Sequence, residues 1–183
     1  MIVDTWFKVS PKDGIPIDRL KAEMTIRNPE YIRAESQGLS TAGIPAFIRL
    51  YRDVGHQTWF PRGLANRYLD RDIEDRTSLG MHVDFKSKIR LWDGTDGKHE
   101  DQRPFADALE KALRNSYGAC GMAETGFGKT VVVLEVLARL KRTALIIVHK
   151  EFLMNQWIDR IREFYDIDPS EIGIVQQDRK SVV

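Results

Sequence analysis

Hydrophobic and polar positions divide this chain into a first half of short, interrupted apolar runs and a second half where helix-like and strand-like periods alternate. Phe105, Ala108, Leu109, Ala112 and Leu113 fall at i, i+3, i+4, i+7 and i+8, which predicts a helix with one apolar face, and Pro104 suits its first turn. A short apolar segment follows at 117–123, then a glycine-rich turn and a second helix from about Lys129 to Leu140. Thr143 to Val148 form a continuous apolar run, as in a strand buried on both faces. The segment 151–165 has helical period, with Leu153, Trp157, Ile161, Phe164 and Tyr165 on one side, and Ile172-Gly173-Ile174-Val175 reads as a third strand. Strand alternating with helix predicts an α/β fold with a parallel sheet and right-handed crossovers.

The first half reads as α+β. Met24-Thr25-Ile26 predicts a strand, and Asn28-Pro29-Glu30 opens a helix. Residues 46–52 alternate in character as one strand, Asp53-Val54-Gly55-His56 supply a turn, and Gln57-Thr58-Trp59-Phe60 return. Pro61 and Gly63 end that strand, Leu64 to Tyr68 begin a short helix, and 81–92 read as one or two further strands. Residues 93–101, Asp-Gly-Thr-Asp-Gly-Lys-His-Glu-Asp, contain no apolar residue and read as a surface linker. The expected organisation is an accessory domain over 1–92, a linker over 93–101 and a second domain over 102–183.

Composition narrows the classes. At 183 residues the chain holds one domain or two small ones, and 42% hydrophobic residues argue against global disorder. No run approaches the roughly 18 apolar residues of a membrane span, the start is no signal peptide, and a single cysteine fits a reducing cytosol. A cytoplasmic protein is expected. With 28 Lys+Arg against 27 Asp+Glu, a globally basic nucleic-acid binder is excluded, while local basic patches remain open.

The chemistry concentrates at Ala123-Glu124-Thr125-Gly126-Phe127-Gly128-Lys129-Thr130, between a predicted strand and a predicted helix. Glycines let several backbone N–H groups turn inward around a polyphosphate, and the helix start adds its unsatisfied N–H groups and positive dipole end. Lys129 would reach the β- and γ-phosphates of ATP, and the Thr130 hydroxyl would bind Mg²⁺. The bland reading is a glycine-rich strand–helix turn with no ligand. Glu124 reads as a solvated loop position rather than a general base, Cys120 as a small buried residue, and Trp157 as core packing. His56, His82, His99 and His149 lack metal-ligand spacing. His149 and Lys150 end the apolar run at 143–148, where open α/β sheets bind ligands, and simple solvated charge is the competing reading.

The form Ala-x-Thr-Gly-x-Gly-Lys-Thr resembles motif I of superfamily 2 helicases and translocases. Thr143 to Leu153 with Gln156-Trp157 is similar to motif Ia of the branch that holds XPB-like proteins, phage UvsW-like proteins and type III restriction subunits. Arg103-Pro104-Phe105 resembles the Arg-Pro-Tyr-Gln entry to the first helix of that branch. The resemblance covers about 102–178. More loosely, Asn28-Pro29-Glu30-Tyr31 and Leu50-Tyr51-Arg52 with Pro61-Arg62-Gly63 look like the accessory domains that precede such motors.

The resemblance implies a RecA-like lobe that binds ATP and Mg²⁺, and a motif Ia contact from the His149–Lys150 region to a nucleic-acid backbone. The family's glutamine after the aromatic, which reads the adenine edge, is Ala106 here, and Gln102 is nearby but out of register. The Asp-Glu pair of motif II is absent. Of the acidic residues after Thr130 (Glu135, Glu151, Asp159, Glu163, Asp166, Asp168, Glu171 and Asp178), none ends an apolar strand. The arginine fingers and the second lobe are absent too, so binding without efficient hydrolysis is expected of this chain by itself.

Residues 46–67 carry Arg49, Arg52, Arg62 and Arg67 against Asp53, interleaved with Phe47, Tyr51, Trp59 and Phe60. This is either a nucleic-acid surface or a half-buried hairpin with a basic polar face. The combined expectation is the first part of an ATP-dependent DNA helicase or translocase, with RNA not excluded and a C-terminal helicase half as partner. Two alternatives stand beside it. One is a standalone nucleic-acid-binding or regulatory protein with a vestigial phosphate loop, and the other is a small P-loop kinase or transferase.

Overall fold

The computed structural model describes residues 1–176 and 179–181. Asp178, among the acidic residues weighed above, and residues 177, 182 and 183 of the expected second domain lie outside them. The chain divides into two compact units: Met1–Ser78 with Ser116–Gly118, and Leu79–Asn115 with the residues from Ala119 onward. The division thus falls at 78/79 rather than within 93–101. Alternate residues Val83, Phe85, Ser87, Ile89 and Leu91 are partly buried, and Phe85, Ile89 and Leu91 pack into the second unit. That packing carries 79–92 with the second half.

The first unit is built on a five-stranded sheet of order β5-β6-β2-β1-β7. Its strands are β1 (Ile2–Val3), β2 (Trp6–Val9), β5 (Arg52–Val54), β6 (Gln57–Pro61) and β7 (Glu74–Asp75). All neighbours are antiparallel except β1 and β7. Along β2, Phe7 and Val9 are buried while Trp6 and Lys8 face outward. Val3, Phe7, Val9 and Phe60 form the inner face, covered by Leu20 of α1 (Ile17–Glu23) and by Leu64 and Ala65 of the 3-10 helix Arg62–Tyr68.

A separate ladder joins β3 (Thr25–Arg27) to β4 (Phe47–Arg49), flanking α2 (Pro29–Ser36). Asn28 caps α2 by accepting from the Glu30 N–H, and its amide donates to the Pro45 carbonyl at 2.9 Å. The strand expected over 46–52 is therefore two strands in two ladders. The break falls where Leu50 donates to the Met24 carbonyl and Tyr51 turns inward to meet Phe60, ring centroids 6.0 Å apart. Asp53 and Val54, expected in the turn, extend β5, and Gly55 at φ +58° makes the turn.

In the second unit the three expected helices are α3 (Arg103–Asn115), α4 (Lys129–Leu140) and α5 (Glu151–Phe164). Helix α4 is buried on two opposite sides. Val132 and Val136 meet Ala106 of α3, whereas Leu134 and Ala138 meet Tyr165, with Trp157 and Ile161 of α5 packed alongside. The buried stripe of α3 is turned from expectation: Ala106 is fully buried, while Ala108 and Leu113 are exposed. A methyl side chain at 106 lets α3 and α4 approach closely.

The mixture of helices and strands is α/β, but the parallel sheet of the second unit is absent among the described residues. Segments 118–124 and 144–148 join no ladder, and Met122, Leu145 and Ile147 are 91%, 82% and 84% exposed. An apolar strand of that kind is stable only between neighbours that satisfy its backbone and cover both faces. The pairings that do form are antiparallel: β8 (Lys86–Ser87) with β9 (Tyr165–Asp166), β10 (Ile174–Gln176) with β11 (Arg179–Ser181), and a single bridge from His82 to Arg142. The expected third strand is thus one arm of a hairpin. No helix among the described residues is long and apolar enough to cross a membrane.

Leu134 is fully buried at the centre of this packing. Leu134→Ala is expected to lower the stability of the second unit by about 2–5 kcal/mol, read as a fall in the urea midpoint. An unchanged midpoint would refute the two-sided burial of α4.

Candidate phosphate loop

Residues Ala123–Thr130 run directly into α4, whose N-cap is Gly128. Gly126 and Gly128 lie at φ +91° and +84°, in the left-handed region where only glycine is unstrained. A Cβ on Gly126 would meet open space, so backbone conformation alone demands glycine there. A Cβ on Gly128 would lie 2.6 Å from Gln102 Nε2, so close approach demands it as well. Upstream, a Cβ on Gly121 would sit 2.8 Å from the Phe105 ring edge.

Lys129 Nζ donates to the carbonyls of Ala123 (2.9 Å) and Glu124 (2.6 Å), folding its ammonium back over the loop. Phe127 anchors the loop from the other side, its ring edge-on to Phe105 at 5.4 Å, and the Phe127 N–H donates to the Glu124 carbonyl at 3.3 Å. Thr130 is half-buried in the first turn of α4, and Glu124 and Thr125 are exposed. Cys120, expected to be buried, is exposed because the segment before the loop joins no sheet.

Gln102 is 2% exposed and lies against this loop, with its Nε2 donating to the Phe127 carbonyl at 2.7 Å. Segment 93–101, expected as a linker, is a loop folded on itself. The Trp92 and His99 rings stack at 3.7 Å, and Arg103 reaches the Asp93 carbonyl at 3.3 Å. His99 and the Lys98 and His99 N–H groups all donate to the Asp96 carboxylate and pull its pKa down to about 2.

His149 and Lys150 are exposed where segment 143–148 meets α5, and Lys150 lies over the Phe152 ring at 5.8 Å. A groove of about 770 Å³ runs beside them between residues 143–151 and 171–176, and none of residues 123–130 lines it. Its apolar walls are faces that the missing ladder leaves uncovered, so the chemistry of the loop rather than this groove locates the candidate site.

The four arginines are spread over three elements. Arg49 is exposed on β4; Arg52 on β5 stacks its guanidinium over Trp6 at 5.2 Å; Arg62 and Arg67 lie on the 3-10 helix, where Arg67 is paired with Glu23 at 2.6 Å. Tyr51 and Phe60 belong to the core side. On the outward face of the sheet, Trp59 is covered by Lys8, whose Nζ lies 4.5 Å from the ring centroid. Trp6 and Lys8 are therefore neighbours of the arginine–aromatic segment that lie far from it in sequence. The alternation Trp6-Phe7-Lys8-Val9 is the signal that could have placed them there. Among the described residues no group of His, Cys, Asp and Glu could hold a metal ion.

Two left-handed glycines, a lysine at the end of the turn and a helix behind it are the elements that a phosphate-binding loop uses. Residues 98–182 match the family described as Type III restriction enzyme, res subunit. Over 172 residues, the chain is 27% identical to a provisionally named ATP-dependent RNA helicase of Acanthamoeba polyphaga mimivirus, covering 90% of this chain and 30% of that one. It is 30% identical over 115 residues to the DNA 3'-5' translocase XPB2 of Sulfurisphaera tokodaii, covering 61% and 24%. A provisionally named helicase of Invertebrate iridescent virus 6 is 28% identical over 135 residues, covering 73% and 28%. No solved structure matches significantly. The chain spans a quarter to a third of the length of these relatives. Over these stretches the chain is similar to that restriction-subunit family and to proteins named as helicases and a translocase.

Position 106 is a packing position. Ala106→Gln is expected to cost about 1–3 kcal/mol, because the longer side chain must enter the Val132–Val136 contact. A thermal melt checks this: an unchanged or raised midpoint would show that 106 is not a packing position.

Proposed function

We propose that this chain is the nucleotide-binding portion of an ATP-dependent DNA helicase or translocase, with a RecA-like lobe in its second half and an accessory nucleic-acid-binding domain in its first. Residues Ala123–Thr130 bind the triphosphate. Lys129, now bonded to the Ala123 and Glu124 carbonyls, would hold the β- and γ-phosphates, and the Thr130 hydroxyl would hold Mg²⁺. Those residue types suit that cofactor: two left-handed glycines, a lysine and a hydroxyl at a helix start. The single observation that carries the reading is this loop backbone at the head of α4.

Binding orients the nucleotide and brings positive charge to the γ-phosphate. Hydrolysis and stepping along DNA belong to the intact enzyme, which supplies a motif II Asp-Glu pair and a second lobe. Arg49, Arg52, Arg62 and Arg67 in the first unit, with His149 and Lys150 in the second, are the candidate phosphate-backbone contacts. DNA is favoured by the XPB2 relative's name; the mimiviral relative's name makes RNA the second arm of the test.

The expected outcome is weak Mg-ATP binding by calorimetry, abolished in Lys129→Ala, with no turnover in the presence of DNA or RNA. Robust turnover abolished by Lys129→Ala would overturn the claim that this chain lacks the hydrolytic parts. The self-bonded Lys129 favours one other reading, a nucleic-acid-binding or regulatory protein with a vestigial loop. A thermal shift with duplex DNA but none with Mg-ATP would favour it.

A further inference from the structure

We propose that Gln102 is the positioning residue of the phosphate loop and that it fixes the direction of the Gly128 N–H. Both polar atoms of its buried side chain are engaged. Nε2 donates to the Phe127 carbonyl at 2.7 Å, and Oε1 accepts from the Trp92 N–H at 3.0 Å. The Gln102 backbone N–H donates in turn to the Trp92 carbonyl at 3.0 Å. One residue thus closes the neck of the 93–101 loop and ties that neck to residue 127.

The consequence follows from the planar trans peptide. In the Phe127–Gly128 unit the C=O and N–H point to opposite sides, so a carbonyl held toward Gln102 sends the Gly128 N–H away from it, to the other face of the loop. Rotating that peptide would strand a buried amide donor and a carbonyl together, a loss that opposes the rotation. Gly128 completes the device, since its missing Cβ leaves the room that the Gln102 amide occupies. Gln102 would therefore preset one anion-facing N–H, a role separate from reading adenine.

The proposal rests on the nucleotide reading only for its affinity arm. In Gln102→Met, a near-isostere lacking both side-chain hydrogen bonds, the Gly128 amide NMR signal should shift and broaden without nucleotide, with a cooperative melt retained. Mg-ATP affinity should fall about five- to tenfold, the worth of one hydrogen bond. Gln102→Glu keeps an acceptor for Trp92 but faces the Phe127 carbonyl with an oxygen. It should change the Gly128 amide signal while leaving that of Trp92 in place. An unchanged Gly128 amide signal in both folded variants, or a lower melting midpoint with nothing else, would overturn the proposal. Where neither variant folds, the scalar coupling across the Gln102 Nε2–Phe127 carbonyl bond in the unaltered chain decides, and its absence refutes the brace. Failure of the unaltered chain to bind Mg-ATP would sink the nucleotide reading alone, because the amide measurements need no ligand.

Discussion

The second unit depends on α4 being buried along two opposite stripes. Residues four apart lie on one side of a helix, so Val132 and Val136 form one stripe and Leu134 and Ala138 the other. Helix α3 takes the first stripe, and Tyr165, with α5 beside it, takes the second. Tyr165 adds a polar anchor: its hydroxyl donates to the Leu134 carbonyl, and burial pushes its pKa up. Held from both sides, α4 presents its N-terminus at a fixed place, and the phosphate loop inherits that position. The loop does not need a completed sheet to adopt its shape. It needs two left-handed glycines, the Phe127–Phe105 contact and the Gln102 amide.

Helices α2 to α5 were legible in the sequence because their information is local, whereas α1 was not read. The 3.6-residue period and the Asn28 and Pro104 signals place α2, α3, α4 and α5 within a residue or two. Strand partners were not legible, since pairing is decided by residues far apart. Residues 46–52 read as one strand because their alternation is continuous, and only Tyr51 turning onto Phe60 divides them. The apolar runs at 117–123 and 143–148 have strand composition, yet composition supplies no neighbour. At the site, the motif specified the loop residues but not their support. Gln102 is polar, sits beside a charged linker-like run, and acquires its role only when Trp92 and Phe127 converge on it.

The arginine–aromatic segment shows the same limit in charge space. Read along the chain, four arginines and four aromatics suggest one surface. In three dimensions several are drawn apart: Arg67 to Glu23, Arg52 to Trp6, Tyr51 and Phe60 to the core. The outward sheet face then gains Trp6 and Lys8 from β2, so its content is set by strand order rather than by sequence neighbours. An exposed ion pair such as Arg67–Glu23 is worth little, so competition from a polyanion faces only a small barrier there.

The same comparison of strengths governs Lys129. Its ammonium holds two neutral carbonyls, one from the half-buried Ala123 and one from the exposed Glu124. Phosphate oxygens carry charge, and a charge-assisted bond is roughly twice as strong as a neutral one. The carbonyls released by the exchange lie where water can reach them, so they are not stranded. The self-bonded lysine therefore keeps the loop folded without locking it. Its direction is already toward the carbonyls that rim the loop, and under the proposed nucleotide reading a polyphosphate at Gly126–Gly128 would need only to outcompete them.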